Sequence, residues 1–369
     1  MSSAERPDAI VVGAGIVGAA CARALARAGM RVLILDAEFG AGGTTAAGMG
    51  HLVVMDDSAA QLGLTALSLD LWRREQLPAA AEMDPCGTIW VAEDDAQLDA
   101  VREKQRTYRD LGVDAEMIGP AELARLEPNL RPGLAGGLRV SGDRVVYPPG
   151  AARHLIHGAL SSGAVLREHC TVDEILDEGV RIGSEVVESP VVVNAAGAGA
   201  AALTPSLDIV PRKGHLAITD RYPGFCGHQL VELGYLTSAH VMTSESVAFN
   251  VQPRVTGQVL IGSSRELAGW DASTNRRILA DMLERAAAFM PAIASLNVVR
   301  TWTGFRPTTP HKLPLIGPCG DRRGLWIAAG HEGLGITTSL GTAAILADLI
   351  LGRTPPMDAA PFAPRGRAA

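Results

Sequence analysis

Residues 8–38 read DAIVVGAGIVGAACARALARAGMRVLILDAE, and this stretch decides the fold. An apolar run, Ala9 to Val12, ends at three glycines, Gly13, Gly15 and Gly18. An alanine-rich helical stretch follows to Ala28, and a second apolar run, Val32 to Leu35, ends at Asp36. Strand, glycine turn, helix, strand and acid come in the order a dinucleotide site needs. Gly13 permits the tight turn, Gly15 lets backbone approach a pyrophosphate, and Gly18 lets helix pack on strand. Ile16 and Val17 lie inside that turn, where the helix start offers unpaired N–H groups to phosphate. Asp36, followed by Ala37, can accept hydrogen bonds from a ribose. The competing reading is a helix-packing glycine cluster, and the motif alone does not choose between NAD and FAD.

The 369 residues suffice for two structural units with a sizeable core. With 47% hydrophobic and 20% charged residues the composition is that of a globular enzyme. A net charge of −7 gives no reason to expect nucleic acid or an anionic membrane surface as partner. The five cysteines, Cys21, Cys86, Cys170, Cys226 and Cys319, are widely spaced and form no CxxC pair. Neither an iron–sulfur cluster nor a structural zinc site is expected, and no metal site is read. MSSAERPD is a polar lead-in without an apolar signal core, and Gly335 to Ile350, the longest apolar stretch, reads as a buried helix. A cytoplasmic enzyme without a membrane span is expected.

Beyond Asp36 the tandem βαβ units of a full NAD domain do not continue. A small-residue segment, Gly40 to Gly50, replaces them, and helix is expected from Ser58 to Trp72. Further strands are expected at Thr88–Ala92, Arg139–Val146 and Ala164–Glu168, with helices at Asp95–Leu111, Pro120–Leu126 and Pro148–Ser162. Gly179–Ile182 and Glu185–Glu188 read as a hairpin. Pro190 to Gly197 reads as a buried strand ending in a small-residue turn. Ser246–Gln252 and Gln258–Gly262 have strand character, Asn275–Met290 reads as a helix, and Gly324–Gly330 is a strand entering a glycine turn. The expected fold is α/β: a Rossmann-like nucleotide domain (1–83, 143–207 and 302–369) interleaved with an α+β substrate domain on a mixed or antiparallel sheet (84–142 and 208–301). That interleaving favours FAD, a long cofactor whose ring system needs distant segments and a second domain to face it.

Six pieces together carry a family likeness. They are Gly42-Gly-Thr-Thr45, Val191 to Gly197, Gly304-Phe-Arg-Pro307, Leu313-Pro-Leu-Ile-Gly317, Gly330-His-Glu-Gly-Leu-Gly335 and the N-terminal motif itself. With these the chain resembles the FAD-dependent D-amino-acid oxidase and glycine/sarcosine oxidase superfamily over nearly its whole length. Ala47 to Met55, Phe249 to Arg254 and Ile261 to Arg265 look closest to flavin subunits of bacterial amino-acid dehydrogenases, such as those for D-hydroxyproline or opines. The resemblance implies oxidation of a C–N bond, with hydride passing to flavin N5 and an imine as product. D-Hydroxyproline or another D- or secondary amino acid is the implied substrate class. The alternatives are a glycine- or sarcosine-type oxidase that makes hydrogen peroxide, and a flavin-carrying electron-transfer subunit. It implies possible homo-oligomers or partner subunits bearing the iron–sulfur relay.

The resemblance also implies site residues. Arg306 forks the substrate carboxylate, the competing reading being a structural salt bridge. His51 contacts substrate or tunes the ring, or is merely structural. Cofactor contacts are implied at Gly43, Thr44, Thr45, Gly48, Met49, Gly50, Val172, Ala196, Gly197 and the turn Gly330, His331, Glu332, Gly333, Leu334, Gly335, Ile336. In that turn the backbone is favoured over the His331 and Glu332 side chains, and Thr44 and Thr45 can alternatively cap a helix. Lys213, His215 and Arg265 read as structural or solvated, and Tyr222, Tyr235, Met242 and Asn250 as conceivable pocket walls. Sarcosine oxidases attach their flavin through a Cys where this chain has Gly304, so the FAD is expected to be non-covalent. They also place a Lys near the flavin for oxygen, where Val259 and Leu260 stand here, which fits a dehydrogenase.

Overall fold

The computed structural model describes residues 6–55, 58–233 and 245–364. The chain visits one sheet three times and a second sheet twice. It begins with β1 (Ala9–Val12), α1 (Ile16–Arg27) and β2 (Val32–Leu35), then α2 (Ala59–Arg73). The first excursion is β3 (Thr88–Ala92), α3 (Asp95–Asp110), β4 (Ala115–Ile118), α4 (Pro120–Leu126) and β5 (Gly136–Val140). The return brings α5 (Pro148–Ser161), β6 (Val165–Arg167) and β7 (Val192–Asn194). The second excursion is β8 (Val210–Arg221), β9 (Gln229–Glu232), β10 (Glu245–Pro253), β11 (Gln258–Glu266), α6 (Arg276–Phe289) and β12 (Val298–Thr308). The chain closes with β13 (Leu315–Pro318), β14 (Leu325–Ala329) and α7 (Gly335–Ile350).

The first sheet has the order β13-β14-β7-β1-β2-β6. Only β13 is antiparallel to its neighbour. Its central strands are buried throughout, so they read as unbroken apolar runs rather than alternation. The second sheet has the order β12-β8-β11-β10-β9-β3-β5-β4 and is antiparallel except between β3 and β9. α6 packs on it, with Phe249 stacked on Phe289 at 4.3 Å between ring centroids. The hairpin read at 179–188 is present and gains a third strand, Glu174–Leu176.

Capping explains where the helices start. Ser58, Asp94 and Asn275 each accept a backbone N–H of the first turn, and Pro148-Pro149 opens α5. α7 is apolar enough and, counted from Glu332, long enough to cross a membrane, but most of it is buried inside the protein. It lies close against α2, where the Gly341 N–H donates to Ser68 Oγ at 3.1 Å and the Trp72 indole donates to the Thr337 carbonyl.

Two expectations are corrected. Arg139–Val146 is not one strand. A turn at 141–143 breaks it, and Arg144–Val145 pairs instead with His51–Leu52. The break buries Asp143, whose carboxylate accepts the Val54 N–H and so holds the segment after His51. The chain also does not leave the second sheet at residue 302. β12 pairs with β8 from Val298 through Thr308, so the boundary read there falls inside a strand.

Candidate active site

The register of the first sheet brings the cofactor-type residues to one edge. Val12 lies opposite both Leu35 and Asn194, and Asn194 opposite Ile327. The segments that follow these strands, at Gly13, Asp36, Ala196 and Gly330, therefore emerge side by side at the carboxyl ends, where ligands of parallel sheets bind. Gly13 has φ +104°, and a Cβ there would stand 2.5 Å from the Ala195 carbonyl oxygen. A Cβ on Gly18 would overlap the Gly13 carbonyl. Thr45 Oγ1 accepts the Ile16 N–H at 3.0 Å, which locks the second glycine segment onto the first. Val17 lies 3.7 Å from the Cβ position of Gly335, so the N-termini of α1 and α7 meet. Two helix starts with positive dipole ends make this edge a place for anionic groups.

Asp36 uses one carboxylate oxygen on the Ala14 N–H at 2.6 Å and the other on the Glu38 N–H at 2.9 Å. It thus shapes the turn, and each oxygen keeps a second lone pair. Ala37 is exposed beside it. Val172 is buried among Ile10, Val12 and Leu33, so only its backbone can serve a ligand. Ala196 and Gly197 are half-buried at the end of β7.

Residues 43–51 thread from this edge toward the second sheet. Thr44 Oγ1 donates to the Phe305 carbonyl at 2.7 Å, and Trp302 donates its indole N–H to the Ala47 carbonyl. Gly48 faces Ile336, Met49 accepts the Gln252 side-chain amide at its carbonyl, and a Cβ on Gly50 would overlap the Val146 carbonyl. The small residues are there because a close-packed seam leaves no room for side chains.

Past this seam opens a cavity of about 790 Å³, solvent at its mouth included. The second sheet supplies Trp90, Gln229, Val231, Asn250, Arg212, Arg265 and Thr308; the first contributes the turn His331 to Leu334. His51, Val53, Met55 and Lys312 complete the wall. Burial drives the His51 pKa down to about 4, against the raising effect of its 2.7 Å bond to Gln229, with Arg306 pushing the same way as burial. His51 is neutral at pH 7. With Gln229 Oε1 accepting at Nδ1, Nε2 is the acceptor nitrogen, and the Asn250 side-chain N–H lies 3.4 Å from it.

Glu332 is the acid of this cavity. Burial would raise its pKa, but the guanidinium groups of Arg265 and Arg306, the Gly333 N–H and Arg212 overcome that and hold it at about 2. Arg265 pairs with it at 3.3 Å. Arg306 stands beside the same turn, near Gly333, and donates from Nη1 to the Ser264 carbonyl at 2.9 Å. It flanks the cavity rather than forming part of its lining. His331 instead turns its ring to Thr342 of α7 at 3.0 Å, and burial lowers its pKa to about 3. It is a core histidine.

Lys213 and His215 are structural, as expected. Lys213 is buried in ion pairs with Glu266 and Asp271, and His215 bonds Ser264 and the Asn275 N–H. Tyr222 bonds the Asn297 N–H on the far reach of β8 and does not line the cavity, whereas Asn250 does. Tyr235 and Met242 lie outside the described residues. Arg212, Trp90 and Gln229 were not singled out by sequence, and Arg265 was placed among structural residues; all four line the cavity. Among the described residues no cluster of His, Cys, Asp or Glu could hold a metal ion.

Residues 8–349 match the model of the DAO family, described as FAD dependent oxidoreductase. The chain belongs to this family. The cradle fits FAD: a helix start approached closely through glycines, an acid at the end of β2, and a second helix start at α7. This DAO-family chain is 28% identical to a glycine oxidase of Geobacillus kaustophilus, over 97% of its own length and 96% of the relative's. It is 28% identical to a D-amino acid dehydrogenase of Xanthobacter autotrophicus, over 95% of this chain and 97% of that one. The solved Geobacillus glycine oxidase superposes with a TM-score of 0.87 at 27% identity, covering 99% of both chains. The protein is an FAD-dependent oxidoreductase.

Proposed function

We propose that this enzyme oxidises the C–N bond of a small D- or secondary amino acid, D-hydroxyproline-like molecules being the first candidates. The observation that carries it is the convergence of Arg212, Arg265 and Arg306 on the turn that opens α7, where the cofactor edge meets the cavity. Guanidinium groups match a carboxylate in shape and charge. Glycine oxidases and a D-amino acid dehydrogenase among the relatives support an amino acid over other reductants.

In this reading the segments of the first sheet hold FAD and those of the second face the substrate. FAD supplies the two-electron acceptor for hydride from the carbon that bears nitrogen. The backbone of Gly13, Gly15, Ile16, Val17 and Gly18, with Asp36, Ala37, Thr44, Thr45, Val172, Ala196 and Gly197, holds its nucleotide end. Gly43, Gly48, Met49, Gly50 and the turn Gly330 to Ile336 hold its ring end. Arg306, seated against Gly333 in that turn, anchors the carboxylate and fixes which carbon faces the ring. His51 stays uncharged, so it adds no cation beside the substrate nitrogen and offers Nε2 as an acceptor. The cofactor is expected to be held without a covalent bond: Gly304, which packs on Ala47, offers no side chain for attachment there.

Anaerobic mixing with a panel of D- and secondary amino acids tests this. Bleaching of the flavin band near 450 nm by at least one member is expected; no bleaching by any member rules the reading out. Arg306→Leu is expected to weaken substrate binding by about 2–5 kcal/mol, as for loss of a partner from a buried charge pair. An unchanged KM removes Arg306 from that role. The likeness to glycine oxidases favours a second reading, a peroxide-forming oxidase, and peroxide released in air by the isolated chain identifies it. Without peroxide, the electrons go to a quinone or a partner subunit.

A further inference from the structure

Two residues that line the cavity carry buried polar atoms for which carboxylate anchoring has no use. β3, β9 and β10 run side by side, with Trp90 opposite Val231 and Val231 opposite Asn250. All three residues line the cavity, and Trp90 and Asn250 are 2% and 4% exposed. Among the described residues, neither the indole Nε1 of Trp90 nor Oδ1 of Asn250 has a hydrogen-bond partner. One atom can only donate and the other can only accept. Buried polar atoms left unpaired are costly, and each calls for an explanation. The neighbouring polar groups, His51 and Gln229, are uncharged and satisfy each other. The Lys104 ammonium packs over the face of the Trp90 ring, 4.5 Å from its centroid, and not at its N–H edge.

We propose that Trp90 and Asn250 read an uncharged group on the substrate side chain that both accepts and donates a hydrogen bond, a hydroxyl or a primary carboxamide. Trp90 donates to it and Asn250 accepts from it. A methyl or methylene at that place leaves both atoms orphaned. A carboxylate satisfies Trp90 but repels the Asn250 oxygen, and an ammonium does the reverse. The inference rests on the amino-acid reading above and deepens it.

Steady-state kinetics on matched pairs test it: 4-hydroxyproline against proline in both configurations, D-serine against D-alanine, and D-asparagine against D-leucine. In at least one pair the polar member is expected to lead in kcat/KM by about 100-fold, as for two orphaned hydrogen-bonding atoms. The leading pair distinguishes hydroxyl from carboxamide. Trp90→Phe and Asn250→Leu are each expected to shrink that ratio about tenfold or more. Apolar members that match their partners in every pair overturn the inference and leave the amino-acid reading standing. A ratio unchanged in both variants also overturns it, and failure of every member to reduce the flavin overturns both. If Trp90→Phe does not retain FAD, the wild-type ratios and Asn250→Leu still decide.

Discussion

Glu332 stands at φ +48°, a backbone conformation few residues other than glycine adopt, and it does so in the turn that opens α7. Its carboxylate neutralises part of a guanidinium cluster that would otherwise repel itself. Glu332→Gln is therefore expected to destabilise the enzyme, by on the order of 3 kcal/mol at pH 7 in thermal or urea melts. Because its folded pKa of about 2 lies below the free value of 4.5, the stability it lends is complete above pH 4.5 and is lost as pH falls toward 2. The gap between wild type and variant should close over that window. His51 and His331 act at higher pH. Their folded pKa values, about 4 and about 3, lie below the free value of 6.5, so the unfolded chain takes up their protons first. Stability should fall as pH drops below 6.5, by about 1.4 kcal/mol per unit and per histidine until each folded pKa is reached. Replacing His331 by Asn should flatten that slope. The glycines and Asp36 were legible in sequence because their demands are local. Arg212 was not. It sits in Pro-Arg-Lys-Gly-His, where β8 is covered on both faces, and partners far along the chain decide that Lys213 and His215 are structural while Arg212 meets the cavity.

At the scale of elements, the meeting of α1 and α7 depends on backbones that come closer than side chains allow. Gly18→Ala is expected to force the α1 start away from the turn at Gly13. Gly330→Ala should do the same at α7, since Gly330 has φ +83° and its Cβ would stand 2.6 Å from Thr309. Each should lower FAD affinity at least tenfold in a titration of apoprotein, with a loss of about 2–4 kcal/mol in stability. Most helices and strands were legible from apolar period and caps. The strand read over 139–146 was not, because the turn at 141–143 is held by burial of Asp143 against Val54, nearly ninety residues away. The extent of β12 was missed for a related reason. Only pairing with β8 shows that Arg306 belongs to the second sheet while it touches a turn of the first.

At the scale of the molecule, the cofactor cradle is assembled from three separated stretches of chain, so bound FAD should act as a strut. Melting temperature is expected to rise with the logarithm of added FAD well above saturation. Acid precipitation should release all of the flavin to the supernatant; colour that stays with the pellet would overturn non-covalent attachment. The interleaving itself was legible, since the pattern after Asp36 breaks and apolar strands with glycine turns recur near Gly197 and Gly330. How the second sheet closes over the site was not, because its strand order is set by long-range pairing.

The position of β1 has a consequence for how the protein is made. In chain order β1 comes before β3 to β6, its neighbour β7 comes after them, and β14 and α7 come later still. A nascent chain therefore carries β1 with one edge unpaired until β7 has emerged, and is expected to capture flavin only once α7 has left the ribosome. Chains arrested before residue 335 should emerge without flavin and depend on chaperones, whereas chains released after residue 350 should acquire FAD.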